Sequence, residues 1–90
     1  MTAIRAEVYA ALDSERAYQE RKWEGVYNVP VSWATFIASY AAEMQHQATR
    51  TDLNQPGAMV AFLNTLRKTT ALGVACMEQH GAPKRFIPNS

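Results

Sequence analysis

From Ile4 to Leu12 the apolar residues recur at helical spacing. At 100° per residue, Ile4, Val8, Ala11 and Leu12 lie within about 60° of one line, the stripe that a helix turns towards a core. The next residues on that line are Glu15, Gln19 and Lys22, with Trp23 at its edge. The apolar seam turns polar while the helix goes on. A buried carboxylate, amide or ammonium is costly unless it finds partners, so three on one seam mark a place where something is held.

The pattern predicts three helices. The first runs over about 2–23, and the loop E-G-V-Y-N-V-P-V follows, because a helix does not pass through Pro30. Ser32 reads as the N-cap of the second helix, with Val31 placed to staple on Phe36. Trp33, Phe36, Ile37, Tyr40, Met44 and Ala48 then form a core-facing stripe that ends near residue 50. After T-D-L-N-Q-P-G, with Asn54 as cap and Pro56 in the first turn, the third helix spans about 55–80. Its expected inner face carries Met59, Phe62, Leu63, Leu66, Thr70, Gly73 and Met77. Gly81 suits an αL C-cap, and Pro83 forbids continuation. The tail A-P-K-R-F-I-P-N-S lacks periodicity and reads as extended. Strand-like alternation, repeats and low-complexity segments are absent from the sequence. Residues 1–90 thus read as one all-α domain, an antiparallel three-helix bundle at about 2–23, 32–50 and 55–80 with an extended C-terminal tail.

Between Thr69 and Met77 there is no charged residue. A helix with one face in water shows charge about every turn, so this segment should be covered on two sides. It could be the central helix of a monomer. With only three helices, however, the second cover is expected from another copy, and Ala71, Gly73 and Ala75 would permit close approach. A chain of 90 residues buries little and is often completed by assembly. The expectation is a homo-oligomer, a dimer or tetramer.

Hydrophobic residues at 48% and charged residues at 19% fit a globular domain rather than a disordered one. A net charge of +1 offers nothing to duplex nucleic acid. The single Cys76 precludes an internal disulfide and suits a reducing compartment. The opening MTAIRAEVYAALDSE lacks the pattern of a signal peptide, and no long apolar span suggests a membrane, so a soluble cytoplasmic protein is expected.

Metal chemistry has little to stand on. Glu43 and His46 have the Glu-x-x-His spacing of di-iron bundles, but only once, and a solvated face explains them better. No cofactor or metal is expected. Cys76 lies in an apolar segment without a histidine nearby in sequence, and Ser32 is explained as a cap, so no catalytic residue is assigned. Ligand binding fares better. Arg16, Tyr18, Lys22 and Trp23 cluster at the end of the first helix, Tyr27 follows, and Trp33 opens the second. Aromatic faces for a base with cations for a phosphate are the minimal kit for a nucleotide. Glu78, Gln79, His80, Lys84 and Arg85 add to it from the end of the chain. A purely structural alternative has Trp23 and Trp33 capping a core, Lys84 and Arg85 in a solvated tail, and Glu15 paired with Arg67 or Lys68 to fix helix register.

The stretches E-R-A-Y-Q-E-R-K-W and R-K-T-T-A-L-G-V-A-C-M-E-Q-H-G-A-P-K-R resemble a family of small phage and prophage proteins. Their pattern is E-R-x-Y-Q-x-x-K-W, a helix opening with Trp after Ser, then R-K-x-x-A-L-G-V-x-x-M-E-x-H-G. The usual Gly after the first Trp is Glu24 here, followed by Gly25. Size and setting look like the anti-CBASS sponges, which sequester cyclic nucleotide signals of bacterial immunity without cleaving them. That resemblance implies an oligomeric, non-enzymatic binder of a cyclic di- or trinucleotide in the cytoplasm of an infected host. Tyr18, Trp23 and Trp33 would stack, and Arg16, Lys22, Lys84 and Arg85 would meet phosphates. Glu15 and Gln19 would orient these groups or read a base edge. The opening motif is also similar to that of MazG-like nucleotide pyrophosphohydrolases, whose magnesium is held by E-x-x-E and E-x-x-D pairs. Neither pair occurs here at the required places: Glu43 is followed at the matching distance by His46 and Gln47. A helical adaptor that docks on a host protein is the third reading.

Overall fold

The computed structural model describes residues 2–86 and 88, and these form three α-helices and no strand. The helices are α1 (Arg5–Lys22), α2 (Pro30–Arg50) and α3 (Ala58–His80). Glu7 in the first turn of α1 and Arg21 and Lys22 in its last turn match the helix dipole. The N-cap of the second helix lies three residues earlier than the serine signal suggests. Val29 occupies the N-cap position with no side-chain cap, and Pro30 takes the first turn, where its fixed φ suits a helix and its missing N–H is no loss. Ser32 is therefore inside the helix, and Val31 is 70% exposed rather than stapled.

The turn before α3 also differs from expectation. Asp52, not Asn54, organises it: its Oδ1 accepts from the Asn54 N–H at 2.9 Å and its carbonyl from the Gln55 N–H at 3.0 Å. Gly57, at φ 79°, then turns the chain into α3, and Pro56 stays outside the helix. At the far end Gly81 has a positive φ of 119° with an extended ψ of 153°, so glycine is needed but the αL conformation is not formed. Residues 81–86 carry no regular structure, and Ile87, Asn89 and Ser90 of the expected tail lie outside the described residues.

The third helix is the centre of the fold. It packs against both α1 and α2, which do not pack on each other. Its first residues connect to the end of α2 through a short loop, while Trp33 at the start of α2 meets Gln79 at the end of α3, so α2 and α3 run antiparallel. Trp33, Leu72 and Ala75 form the core, with Ile37 and Cys76 packed around it. Within the chain, the helix that carries the uncharged segment packs against α1 and α2, while Thr70 and Met77 of that segment stay exposed. Ala71 is fully buried, and Thr65 and Thr69 satisfy their hydroxyls on the carbonyls of Ala61 and Thr65. The buried face of α3 accordingly differs from the expected one: Met59, Leu63, Leu66, Thr70 and Met77 are exposed.

This core is small for its chain. A compact protein of 10.0 kDa exposes about 5,200 Å². This one exposes 7210 Å². Its radius of gyration is 15.1 Å, against about 12 Å for a compact domain of this length, and it is flat, 40 × 38 × 22 Å. The α1 stripe explains part of the difference. Ile4 and Val8 are 66% and 45% exposed, so the apolar seam at the start of α1 meets no core among the described residues. No helix among the described residues is long and apolar enough to cross a membrane.

Candidate functional site

Where the seam on α1 turns polar, it meets α3. Glu15 is buried, and its Oε1 accepts from Arg67 Nε at 2.8 Å; Arg67 in turn donates to Asn64 Oδ1. Gln19, 3% exposed, donates to the Lys68 carbonyl at 3.4 Å and accepts from Arg16 at 3.2 Å. Arg16 Nε also pairs with Glu78 Oε1 at 2.6 Å. Arg67 and Glu78 stand about 16 Å apart along α3, so the two ion pairs fix the position of α1 along that helix. The structural alternative holds for Glu15 and Arg67. Arg16, expected at a phosphate, is engaged by a carboxylate.

The end of α3 ties down the loop between α1 and α2. Gln79 Oε1 accepts from the Trp33 indole N–H at 2.9 Å and from the Asn28 backbone N–H at 3.1 Å, while its amide donates to the Val26 carbonyl at 3.0 Å. His80 Nε2 lies 2.8 Å from the Asn28 carbonyl, and its ring meets Tyr27 edge-on at 5.4 Å. Gln79 therefore holds the loop from within the lining of the site, and His80 from outside it.

Because α1 and α2 both pack on α3 and not on each other, a groove opens between them. Its larger part, about 550 Å³, has apolar and aromatic walls from Trp23, Trp33, Phe36, Tyr40 and Leu72. Its charged lining is Glu20 and Glu78 against Arg16, an excess of one negative charge. An adjoining part of about 330 Å³ shares Gln19, Trp23, Tyr40 and Leu72 and adds Tyr18. There the charges are Lys22, Arg67 and Lys68 against Glu15, an excess of two positive charges. Neither Lys22 nor Lys68 forms an ion pair among the described residues. Lys22 Nζ sits 5.9 Å from the Tyr18 ring centroid and 5.5 Å from that of Trp23. The groove is aromatic throughout and divided in charge.

No known family model, curated protein or solved structure matches the chain. What the groove can hold follows from its own residues. Of the expected site residues, Glu15, Arg16, Tyr18, Gln19, Lys22, Trp23 and Trp33 all line one part or the other. Lys84 and Arg85 do not: they are exposed on the segment after α3 and line neither part. Glu20, Asn28, Phe36, Tyr40 and Lys68 join the lining without having been singled out for it. Phe36 and Tyr40 sit on the core stripe of α2, and nothing in a helical period tells a core from the wall of a groove. Among the described residues, no three His, Cys, Asp or Glu side chains converge as a metal site would require.

Proposed function

We propose that this chain binds a cyclic oligonucleotide in the groove between α1 and α2 and sequesters it without cleavage, as a phage protein countering bacterial second-messenger defence. The observation that carries the binding reading is the charge division of one aromatic groove. A nucleotide is itself divided, with a flat donor-bearing base at one end and anionic phosphate at the other. The part lined by Lys22 and Lys68 suits phosphate, and Tyr18 and Trp23 offer faces for stacking. The resemblance to anti-CBASS sponges supplies the biological setting.

The same reading includes assembly into a homo-oligomer. The chain exposes about 2,000 Å² more than a compact protein of its mass, and a permanent interface takes about 1,000 Å² or more from each partner. The uncovered apolar residues of α1 and α3, Ile4, Val8, Leu63 and Leu66 among them, are the surface a second copy would cover.

Calorimetric titration against a panel of cyclic di- and trinucleotides, with ligand recovery after heat denaturation, tests the proposal. Tight binding with intact ligand recovered supports it. Magnesium-dependent loss of a nucleoside triphosphate without cyclic-nucleotide binding would replace it with the pyrophosphohydrolase reading. Sedimentation showing a 10-kDa monomer at micromolar concentration would refute the assembly.

A further inference from the structure

The negatively charged part of the groove has a composition that phosphate binding leaves unexplained. Its polar groups sort into those already engaged and those still available. Gln79 spends both ends of its amide on Trp33, Asn28 and Val26, and the Trp33 indole N–H is satisfied by it. Arg16 and Glu78 are engaged with each other. Four polar side chains remain: the Trp23 indole, the Tyr40 hydroxyl, Glu20 and Asn28, of which Glu20 alone is a carboxylate. The Glu20 carboxylate forms no ion pair among the described residues. Asn28 has its backbone N–H held by Gln79 and its carbonyl beside His80, which leaves its side-chain amide presented from a fixed backbone. Glu20 and Asn28 both line this part of the groove, beside the walls made by Trp23, Trp33 and Phe36.

An available carboxylate accepts two hydrogen bonds side by side and offers no donor. Guanine is the common base that presents two adjacent donors on one edge, N1–H and the N2 amino group, with the O6 acceptor beside them. Adenine and cytosine alternate a donor with an acceptor on that edge, and uracil places one donor between two acceptors. A carboxylate meets an acceptor at each of those and repels it. Asn28 can donate to O6 while Glu20 takes the two N–H groups. We infer that the groove selects a guanine base, with Glu20 as the residue that reads it, an inference resting on the nucleotide reading above. The division of labour follows: specificity sits in the Glu20 and Asn28 half, and affinity for phosphate in the Lys22 and Lys68 half.

The test titrates the full chain and its Glu20→Gln variant with the cyclic dinucleotides of guanine, adenine and uracil. Glu20 is exposed, so the substitution leaves the core intact, which circular dichroism checks. The wild-type chain should bind the guanine ligand about tenfold or more tightly than the other two, the discrimination expected of one bidentate base contact. Glutamine replaces one acceptor with a donor, so E20Q should lose that preference and bind the adenine ligand more tightly than the wild type does. Equal affinity of the wild-type chain for all three ligands, or a guanine preference that survives E20Q, overturns the assignment and leaves nucleotide binding standing. Failure of all three to bind overturns both.

Discussion

Replacing Gln79 by methionine removes one side chain on which three backbone and side-chain groups converge, at nearly constant volume. The groups left behind differ in their access to water. Trp33 is 4% exposed, so its indole N–H loses its acceptor in a dry place, at about 1–3 kcal/mol. The Asn28 N–H and the Val26 carbonyl belong to an exposed loop and recover most of their hydrogen bonding from water, for about 0.5 kcal/mol each. The sum, about 2–4 kcal/mol, is a large part of the ~5–13 kcal/mol expected for a domain of this length. In thermal unfolding followed by far-UV circular dichroism, Tm should fall by roughly 10–30 °C. A double-mutant cycle isolates the cause. Trp33→Phe removes the orphaned donor, so Q79M should cost about 1 kcal/mol less in that background. Costs that add within about 0.5 kcal/mol would refute the claim that Gln79 acts through the Trp33 indole.

Four further outcomes are expected. Arg67→Ala should destabilise more than Glu15→Ala, because the first strands a buried carboxylate and the second an arginine that is 36% exposed; urea midpoints that rank the other way would count against the buried pair. Gly73→Ala should raise stability by about 0.5–1 kcal/mol, since a methyl there meets nothing within 4 Å and alanine is the better helix former; a loss instead would show that another copy fills that notch. Gly57→Ala should lower stability by about 1 kcal/mol, the cost of a side chain at φ 79°, as read from the same unfolding curves. Lys22→Glu and Lys68→Glu should each weaken cyclic-nucleotide binding about tenfold while the helical signal is unchanged, and titrations in higher salt should shrink the difference.

The three-helix outline was legible because its signals are local. A 3.6-residue period, prolines that end helices and glycines that permit positive φ act within a few residues, so the helices fall close to their expected bounds. Local signals also compete locally, which is why Pro30 displaced Ser32 at the start of α2 and Asp52 displaced Asn54 in the turn before α3. The polar seam on α1 was legible as an anomaly, since amphipathic helices do not change face without partners. Its partners were legible only in part: Arg67 was one of two candidates for Glu15, whereas Glu78 was not foreseen for Arg16. Arg67 lies 52 residues from Glu15, and Glu78 lies 62 from Arg16.

Periodicity records that a face is covered but not by what. For Thr69 to Met77 the cover within the chain comes from α1 and α2, and Thr70 and Met77 stay exposed. For Ile4 and Val8, no part of the chain among the described residues supplied one. The groove belongs wholly to tertiary structure, since it exists only where α1 and α2 pack on α3 and not on each other. That packing turned Phe36 and Tyr40 from core positions into walls, brought Glu20 and Trp33 into one lining, and left Lys84 and Arg85 outside. The amino-acid sequence alone determined the helices and marked the stretch of α1 that must be held. Tertiary structure decided which of its polar side chains hold the fold together and which remain available to a ligand, because that depends on distances between residues far apart in the chain.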